Sequence, residues 1–370
     1  MRKTVILLLM SIVFVSCTNT KSNKNVLKVI DKQEINKEEV VFTWDDFGEV
    51  QKIKSKKLFS IYTGNGKIKV LDSLFFFNIM NNEDSSKHLL IITNQKGDTI
   101  KSLLFKGKGP NEFSAIDNFD FILDSLMFFY DGKIEAKVSV YKTDDILRVE
   151  NPEPIMKFNL GKSIIRISTV LSLNKFLSKS YFSQEKFIVV DSIGNTLKKI
   201  GEFDFLKNIE VDEAHCLYLN TFYSRNIDAK PNNEKYVVTY RSTDLIEIYD
   251  SKGNQLFVSH GPDNIIAEDF KKEYLSGDKM YYIQVDSAIT YTYYGIQTSN
   301  DYIFVSYKGK CLEEEPLGMH YILVFDWETN PVKAFYIHEP FTSYYIDFKN
   351  KFIYTYCLNT ETVHKAKLDF

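Results

Sequence analysis

Residues 107–110, Gly-Lys-Gly-Pro, sit between apolar runs and combine the residue types of a phosphate cradle. Glycines let backbone N–H groups approach an anion, and a lysine neutralises it. The known templates fail here. A dinucleotide fingerprint needs a third glycine where Glu112 stands. A P-loop needs Gly-Lys followed by Ser or Thr at the start of a helix, but Lys108 is followed by Gly109. Gly161-Lys162-Ser163 has the right triplet, but Met156 occupies the place of the required upstream glycine. The six histidines, His88, His215, His260, His320, His338 and His364, show no metal-ligand spacing, and no H-E-x-x-H occurs. No G-x-S-x-G is present. The Asp250–Asn254 turn is too short for an EF-hand loop, and Glu313-Glu314-Glu315 reads as a solvated charge run. No catalytic residue, metal or other cofactor is indicated.

The remaining candidates are aromatic and polar. "YLNTFYSRN" (218–226) brings Tyr223 beside Arg225, and "YTYYGIQTSND" (291–301) contains Tyr291 and Tyr293. Aromatic faces with guanidinium and amide donors suit sugars or peptides. These four residues are the expected ligand site, facing one another from two loops at a channel mouth. The competing reading makes them packing between structural units.

The elements that must position them form a repeat. An apolar strand, Asx, two variable residues, Gly, Asx and a second strand recur in "LLIITNQKGDTI" (89–100), "KFIVVDSIGNTL" (186–197) and "LIEIYDSKGNQL" (245–256). Degenerate copies are "VSVYKTDDIL" (138–147) and "ILVFDWETNPV" (322–332), and "VFTWDDFGEV" (41–50) would be a sixth occurrence. Each reads as a hairpin whose Asx and Gly supply the turn. The first turn residues, Asn94, Lys142, Asp191, Asp250 and Asp326, are spaced by 48, 49, 59 and 76 residues. A unit of about 48 residues suits a four-stranded propeller blade, and the longer intervals imply loop insertions. Near-continuous apolar runs precede the hairpins, as in "LDSLFFF" (71–77) and "LDSLMFFY" (123–130). Such runs fit strands covered on both faces. No sustained helical period follows the N-terminus; only "AEDFKKEYL" (267–275) could form a short helix or turn. The predicted fold is all-β: a six-bladed β-propeller over residues 40–370. Residues 341–370 supply three strands of the last blade, and the strand near Val40 to Trp44 supplies the fourth. A β-sandwich pair or a seven-bladed ring fits the spacing less well.

"GKGPNEF" (107–113) follows the first full blade and resembles the G-x-G-P-G-E-[F/Y] motif of TolB-like six-bladed propeller lipoproteins of Bacteroides-type bacteria. The resemblance covers roughly residues 40–370 and includes "DYIFVSYKGK" (301–310) and "YILVFDWETNPVKAFYI" (321–337). Asn111 stands where that family has a third glycine, and asparagine tolerates a left-handed backbone. Gly107, Gly109 and Pro110 are read as turn makers, and Glu112 as an acceptor for backbone N–H groups of the neighbouring blade. The alternative is that Glu112 or Lys108 faces a ligand.

The N-terminus, "MRKTVILLLMSIVFVSC", has the basic and apolar regions of a secretory signal, too short to span a bilayer comfortably. Phe14-Val15-Ser16-Cys17 resembles a lipobox, so residues 1–16 are the expected signal peptide and Cys17 the lipidated residue. Residues 17–39, rich in Lys, Asn, Ser and Glu, read as a tether. The net charge is -3, and losing Arg2 and Lys3 makes it more negative, so no basic field recruits nucleic acid. The expected address is the outer membrane, facing the periplasm because no acidic residue follows Cys17 closely. The expected partners are the membrane, through the lipid on Cys17, and an envelope protein or glycan. Cys216, Cys311 and Cys357 remain, and all three are expected to be unpaired. The function read from these features is a tethered binding or scaffold module. A carbohydrate- or peptide-active enzyme using channel carboxylates is the alternative.

Overall fold

A computed structural model describes residues 40–370 except 65, 80–87, 110, 123, 133–135, 162–163, 181–184, 204–222, 224, 266–271, 275–280, 284–289 and 312–317. Six antiparallel four-stranded sheets follow one another along the chain. Blade one covers Ile68–Phe105, blade two Asn118–Asn159 and blade three Ile164–Glu202. Blade four covers Arg225–His260, blade five Thr290–Phe341, and blade six begins at Ser343. The first strand of each blade is innermost. Inner strands of successive blades adjoin, and that of blade six returns to that of blade one, which closes the ring.

The hydrophobic core is divided in the same way. Six clusters of buried side chains lie between neighbouring blades. Phe76, Leu90, Phe119 and Phe129 fill the wedge between blades one and two. Phe128, Val138, Phe176 and Ile188 fill the next. This explains the continuous apolar runs. The second strand of each blade, such as Leu74–Asn78 or Leu126–Asp131, has neighbours on both faces and is buried almost throughout. The outer strand of blade one, Thr99–Phe105, is largely exposed over its first four residues.

The repeated turns are alike in geometry. The Asp191, Asp250 and Asp326 carboxylates each accept the backbone and side-chain N–H groups of the asparagine four residues on, at 2.8–2.9 Å. Asn94 and Asp98 do the same in blade one with the acceptor roles shared. Gly97, Gly194 and Gly253 occupy the left-handed position of this turn, at φ 87, 84 and 86°. In blade five Thr329 holds that position at φ 68°.

Four sequence expectations are corrected. The strand that completes blade six is Lys56–Ser60, paired antiparallel with Thr362–Lys367, and not the segment near Val40 to Trp44. Phe59 on that strand enters the wedge between blades six and one. Val40–Val41 instead pairs in parallel with the outer strand of blade four, and Gln51–Ile53 with that of blade five. The segment between them carries a short 3-10 helix, Trp44–Phe47, at the expected sixth hairpin. The copy at Lys142 is no tight hairpin, because a one-turn helix, Thr143–Arg148, separates its two strands. In the segment 267–275, expected as a short helix or turn, the described residues Lys272–Tyr274 form a strand paired with Tyr281–Ile283. The signal peptide, Cys17 and the tether lie outside the described residues. No helix among the described residues is long and apolar enough to cross a membrane.

Candidate binding site

Strand alternation sorts the loops onto two faces. Each inner strand is entered from the previous blade's outer strand, so these connections and the loops between second and third strands emerge at one mouth of the channel. The connections that leave the strands ending at Glu202, His260 and Cys311 all belong to this set. The compact Asx-Gly turns lie on the opposite face. That face also carries the longer connection of blade two, residues 143–155 with the Thr143–Arg148 helix.

The "GKGPNEF" loop is one of these connections, and it is self-contained. Glu112 Oε2 accepts the Gly109 N–H at 2.7 Å, and the Glu112 N–H donates back to the Gly109 carbonyl at 3.1 Å. The Gly107 and Phe113 N–H groups, bonded to the Phe113 and Phe105 carbonyls at 2.9 Å, close the loop. Glu112 thus serves its own loop, not the neighbouring blade. The described glycines here do not have positive φ, and the Asn111 side chain accepts from Lys157 of the same sheet as Asn118. Glycine is required for space: a Cβ on Gly107 would lie 1.9 Å from Glu112 Oε2, and one on Gly109 3.0 Å from it. Lys108 is exposed, and Pro110 lies outside the described residues. Gly107→Ala and Glu112→Ala should each cost about 1–2 kcal/mol, because both lose the carboxylate bond to Gly109. Their double mutant should cost little more than either alone, and Lys108→Ala should stay within about 0.5 kcal/mol. Urea denaturation measures all four, and full additivity would show that the glycine and the glutamate act separately.

The four expected ligand residues separate. Tyr293 is corrected outright: it lies in the inner strand of blade five, fully buried, and its hydroxyl donates to the Gly261 carbonyl at 2.6 Å. Burial, with Asp244 and Asp263 nearby, raises its pKa well above the usual phenol value. Tyr223 is half-buried and packs edge-on against Phe203 and Tyr240 in the wedge between blades three and four. Arg225 begins the inner strand of blade four, and its side chain is outside the described set. Tyr291 also lies on a strand rather than in a loop and is buried, but it meets a guanidinium.

That guanidinium belongs to Arg241, which the sequence reading missed. Arg241 sits in the loop between the second and third strands of blade four, at the same mouth. Its Cζ lies 4.7 Å from the ring centres of both Tyr291 and Tyr294. One terminal nitrogen donates to the Tyr294 hydroxyl at 3.2 Å, while Nε is buried and has no hydrogen-bond partner among the described residues. The loop is held from below. The Thr292 N–H donates to the Arg241 carbonyl at 2.8 Å, and the Thr292 hydroxyl lies within reach of the Tyr240 and Thr243 carbonyls. Asp244, fully buried, accepts the Asp263 and Ile265 N–H groups at 3.1 and 3.0 Å. Two aromatic faces and a half-buried cation are thereby fixed at the mouth.

Below the mouth the inner strands carry polar side chains that tie blade to blade. Lys69 pairs with Asp120, and Asn226 donates to the Tyr293 carbonyl at 3.2 Å. Asp228 accepts from Thr169 at 2.7 Å and Thr298 at 3.2 Å. Burial raises the Asp228 carboxyl to about 6, with Asp120 adding to the effect and the Thr169 hydroxyl opposing it. The channel therefore contains carboxylates. Among the described residues no cluster of three or more His, Cys, Asp or Glu could hold a metal ion. Cys357 is buried and unpaired, whereas Cys216 and the Cys311 side chain lie outside the described set.

A family model described as TolB-like 6-blade propeller-like matches residues 42–348. The chain belongs to this family. No curated protein matches the sequence. Among solved structures, a member of the DUF4221 family from Bacteroides vulgatus is 12% identical with a TM-score of 0.55, covering 87% of this chain and 97% of its own. A Bacteroides fragilis protein described as exported is 13% identical with a TM-score of 0.50, covering 89% and 98%. At these identities the likeness concerns the fold of this TolB-like propeller, not its ligand.

Proposed function

We propose that this TolB-like propeller is a lipoprotein of the cell envelope, anchored in the outer membrane through Cys17 and facing the periplasm. It acts as a binding or scaffold module for a peptide, protein or glycan at one mouth of its channel. One observation carries the binding reading: at one mouth of the channel Arg241 is stacked on Tyr291 and Tyr294, two faces and a cation held in place by the Thr292 and Asp244 contacts. Loops held by a rigid scaffold are where proteins build ligand surfaces. The lipobox-like Phe14-Val15-Ser16-Cys17 supports the anchor, and the exported Bacteroides fragilis protein of similar fold accords with an envelope address.

The enzymatic alternative draws on one observation. Asp228 stays protonated up to about pH 6, a range useful to a general acid. It would need a second carboxylate free to act as base, and the nearby Asp120 is engaged by Lys69. Binding is the reading this geometry supports better.

The test is a glycan and peptide array probed with the mature protein, with Arg241→Ala as control. The expected result is a defined ligand whose retention falls at least tenfold in the variant, with the melting temperature little changed. An array without ligands, or equal retention by the variant, would overturn the site. For the anchor, an alkyl-chain metabolic probe should label the wild type and not Cys17→Ala, and equal labelling would remove the lipid.

A further inference from the structure

The polar contacts that join the inner strands pair charge with opposite charge, or donor with neutral acceptor. The Ser343 hydroxyl accepts the Ile68 N–H at 3.1 Å, and Gln297 exchanges two hydrogen bonds with the Ile346 backbone, each of 2.8 Å. Two cations at the mouth end of the channel have no opposite charge within ion-pair distance among the described residues. Lys67 stands just before the inner strand of blade one, and Arg166 is the third residue of the inner strand of blade three.

Lys67 Nζ donates to the neutral Asn118 Oδ1 at 2.5 Å. The Asn118 amide nitrogen in turn donates to the Ile167 carbonyl at 3.0 Å and the Ser168 carbonyl at 3.3 Å, next along the chain from Arg166. A single asparagine therefore links the ammonium to the strand that carries the guanidinium. No carboxylate among the described residues lies within ion-pair distance of either cation. The carboxylates nearby are engaged elsewhere: Asp120 by Lys69 and the Phe121 N–H, and Asp117 by the Gly132 N–H at 2.7 Å. Both cations retain some accessible surface although protein encloses them, as expected for a channel wall. Burial pulls both below their ordinary pKa values, and Arg166 adds to the effect on Lys67.

Asp117 acts on both cations but lies outside ion-pair distance of either, so the two still repel, and burial adds a desolvation cost. We infer that the mouth end of the channel binds a compact oxyanion, the carboxylate or phosphate group of a ligand, between Lys67 and Arg166. A planar guanidinium can grip two oxygens of such a group while the ammonium supplies a point charge. The inference rests on the reading of this mouth as the binding face, and it names the chemistry of what enters there.

The mature protein would be titrated calorimetrically at low ionic strength with inorganic phosphate and, separately, with glucuronate, using sodium chloride at matched ionic strength as the control. A saturable site for either oxyanion is expected, weakened at least tenfold by Arg166→Gln and by Lys67→Met. Without ligand, Lys67→Met should melt at or above the wild-type temperature, because it removes a buried charge that only the ligand satisfies. No saturable heat with either oxyanion, or unaltered binding in both variants, would overturn the inference. So would a Lys67→Met protein that melts several degrees below the wild type, since the ammonium would then be a structural tie. Arg241 is not among the residues varied, so failure on the array and failure in this titration are independent outcomes.

Discussion

Glu247→Ala should lower the unfolding free energy by about 3–5 kcal/mol, the range for removing one partner of a buried ion pair. Glu247 lies on the third strand of blade four with its side chain 2% exposed, and it pairs with Lys186 of blade three, 11% exposed. Its other contacts make the loss larger than one bond. The Tyr240 hydroxyl donates to Oε2, and Gln255 Nε2 donates to Oε1 at 2.8 Å. Removing the carboxylate takes an acceptor from an ammonium, a phenol and an amide where water is scarce. The double variant Lys186→Met, Glu247→Leu should recover much of the loss, because no charge is then left buried alone. Urea denaturation of the three proteins measures this. A single-variant effect under about 1 kcal/mol would mean that water already reaches the pair.

The fold was legible where local chemistry and ring geometry demand the same residues. The Asx-x-x-Gly-Asx turns must place glycine in a left-handed position, and Gly97, Gly194 and Gly253 do so. Second strands such as Leu74–Asn78 must be apolar on both faces, because each is wedged between two blades. For the ring closure the sequence points to Val40 to Trp44, because that stretch has stronger strand propensity than "KKLFS" (56–60). Propensity did not decide it. Lys56–Ser60 can bury Phe59 between blades six and one while its two lysines face outward. The aromatic residues just after Val41 pack elsewhere. Phe42 and Phe47 complete the wedge between blades four and five, and the Trp44 indole donates to Asp263 at 2.7 Å.

The candidate site was less legible, for a physical reason. Tyr291 and Tyr293 are two residues apart on one strand, yet one meets a guanidinium and the other a backbone carbonyl in the core. Tyrosine serves either place, since its ring is apolar and its hydroxyl needs only one partner. Arg241 comes from a loop that is short in sequence and adjoins the next blade only in space. The channel cations leave a clearer signal in the sequence. Polar residues alternate along the inner strands and their entry points, as in Lys67 and Lys69, Asn118 and Asp120, and Asn226 and Asp228. A strand at the inside of a closed β-protein should be apolar unless its polar face lines a channel.

Asp228→Asn should stabilise the protein at neutral pH and not in acid. Asp228 has its carboxyl raised from the ordinary 3.8 to about 6, chiefly by burial. A carboxyl raised on folding favours the protonated native state. Its contribution is present in full below about pH 4, declines as pH rises through about 6, and is a constant penalty above that. The displacement corresponds to up to about 3 kcal/mol at neutral pH. Asparagine is neutral throughout and fits the same place. It can accept from the Thr169 hydroxyl, which bonds Asp228 at 2.7 Å, and from the Ala229 N–H at 2.8 Å. Unfolding curves for the two proteins should therefore converge near pH 4 and separate toward pH 7.5, with the variant the more stable. The opposite order at pH 7.5 would mean that the ionised form is favoured in the native channel by a cation closer than Lys69, which already pairs with Asp120.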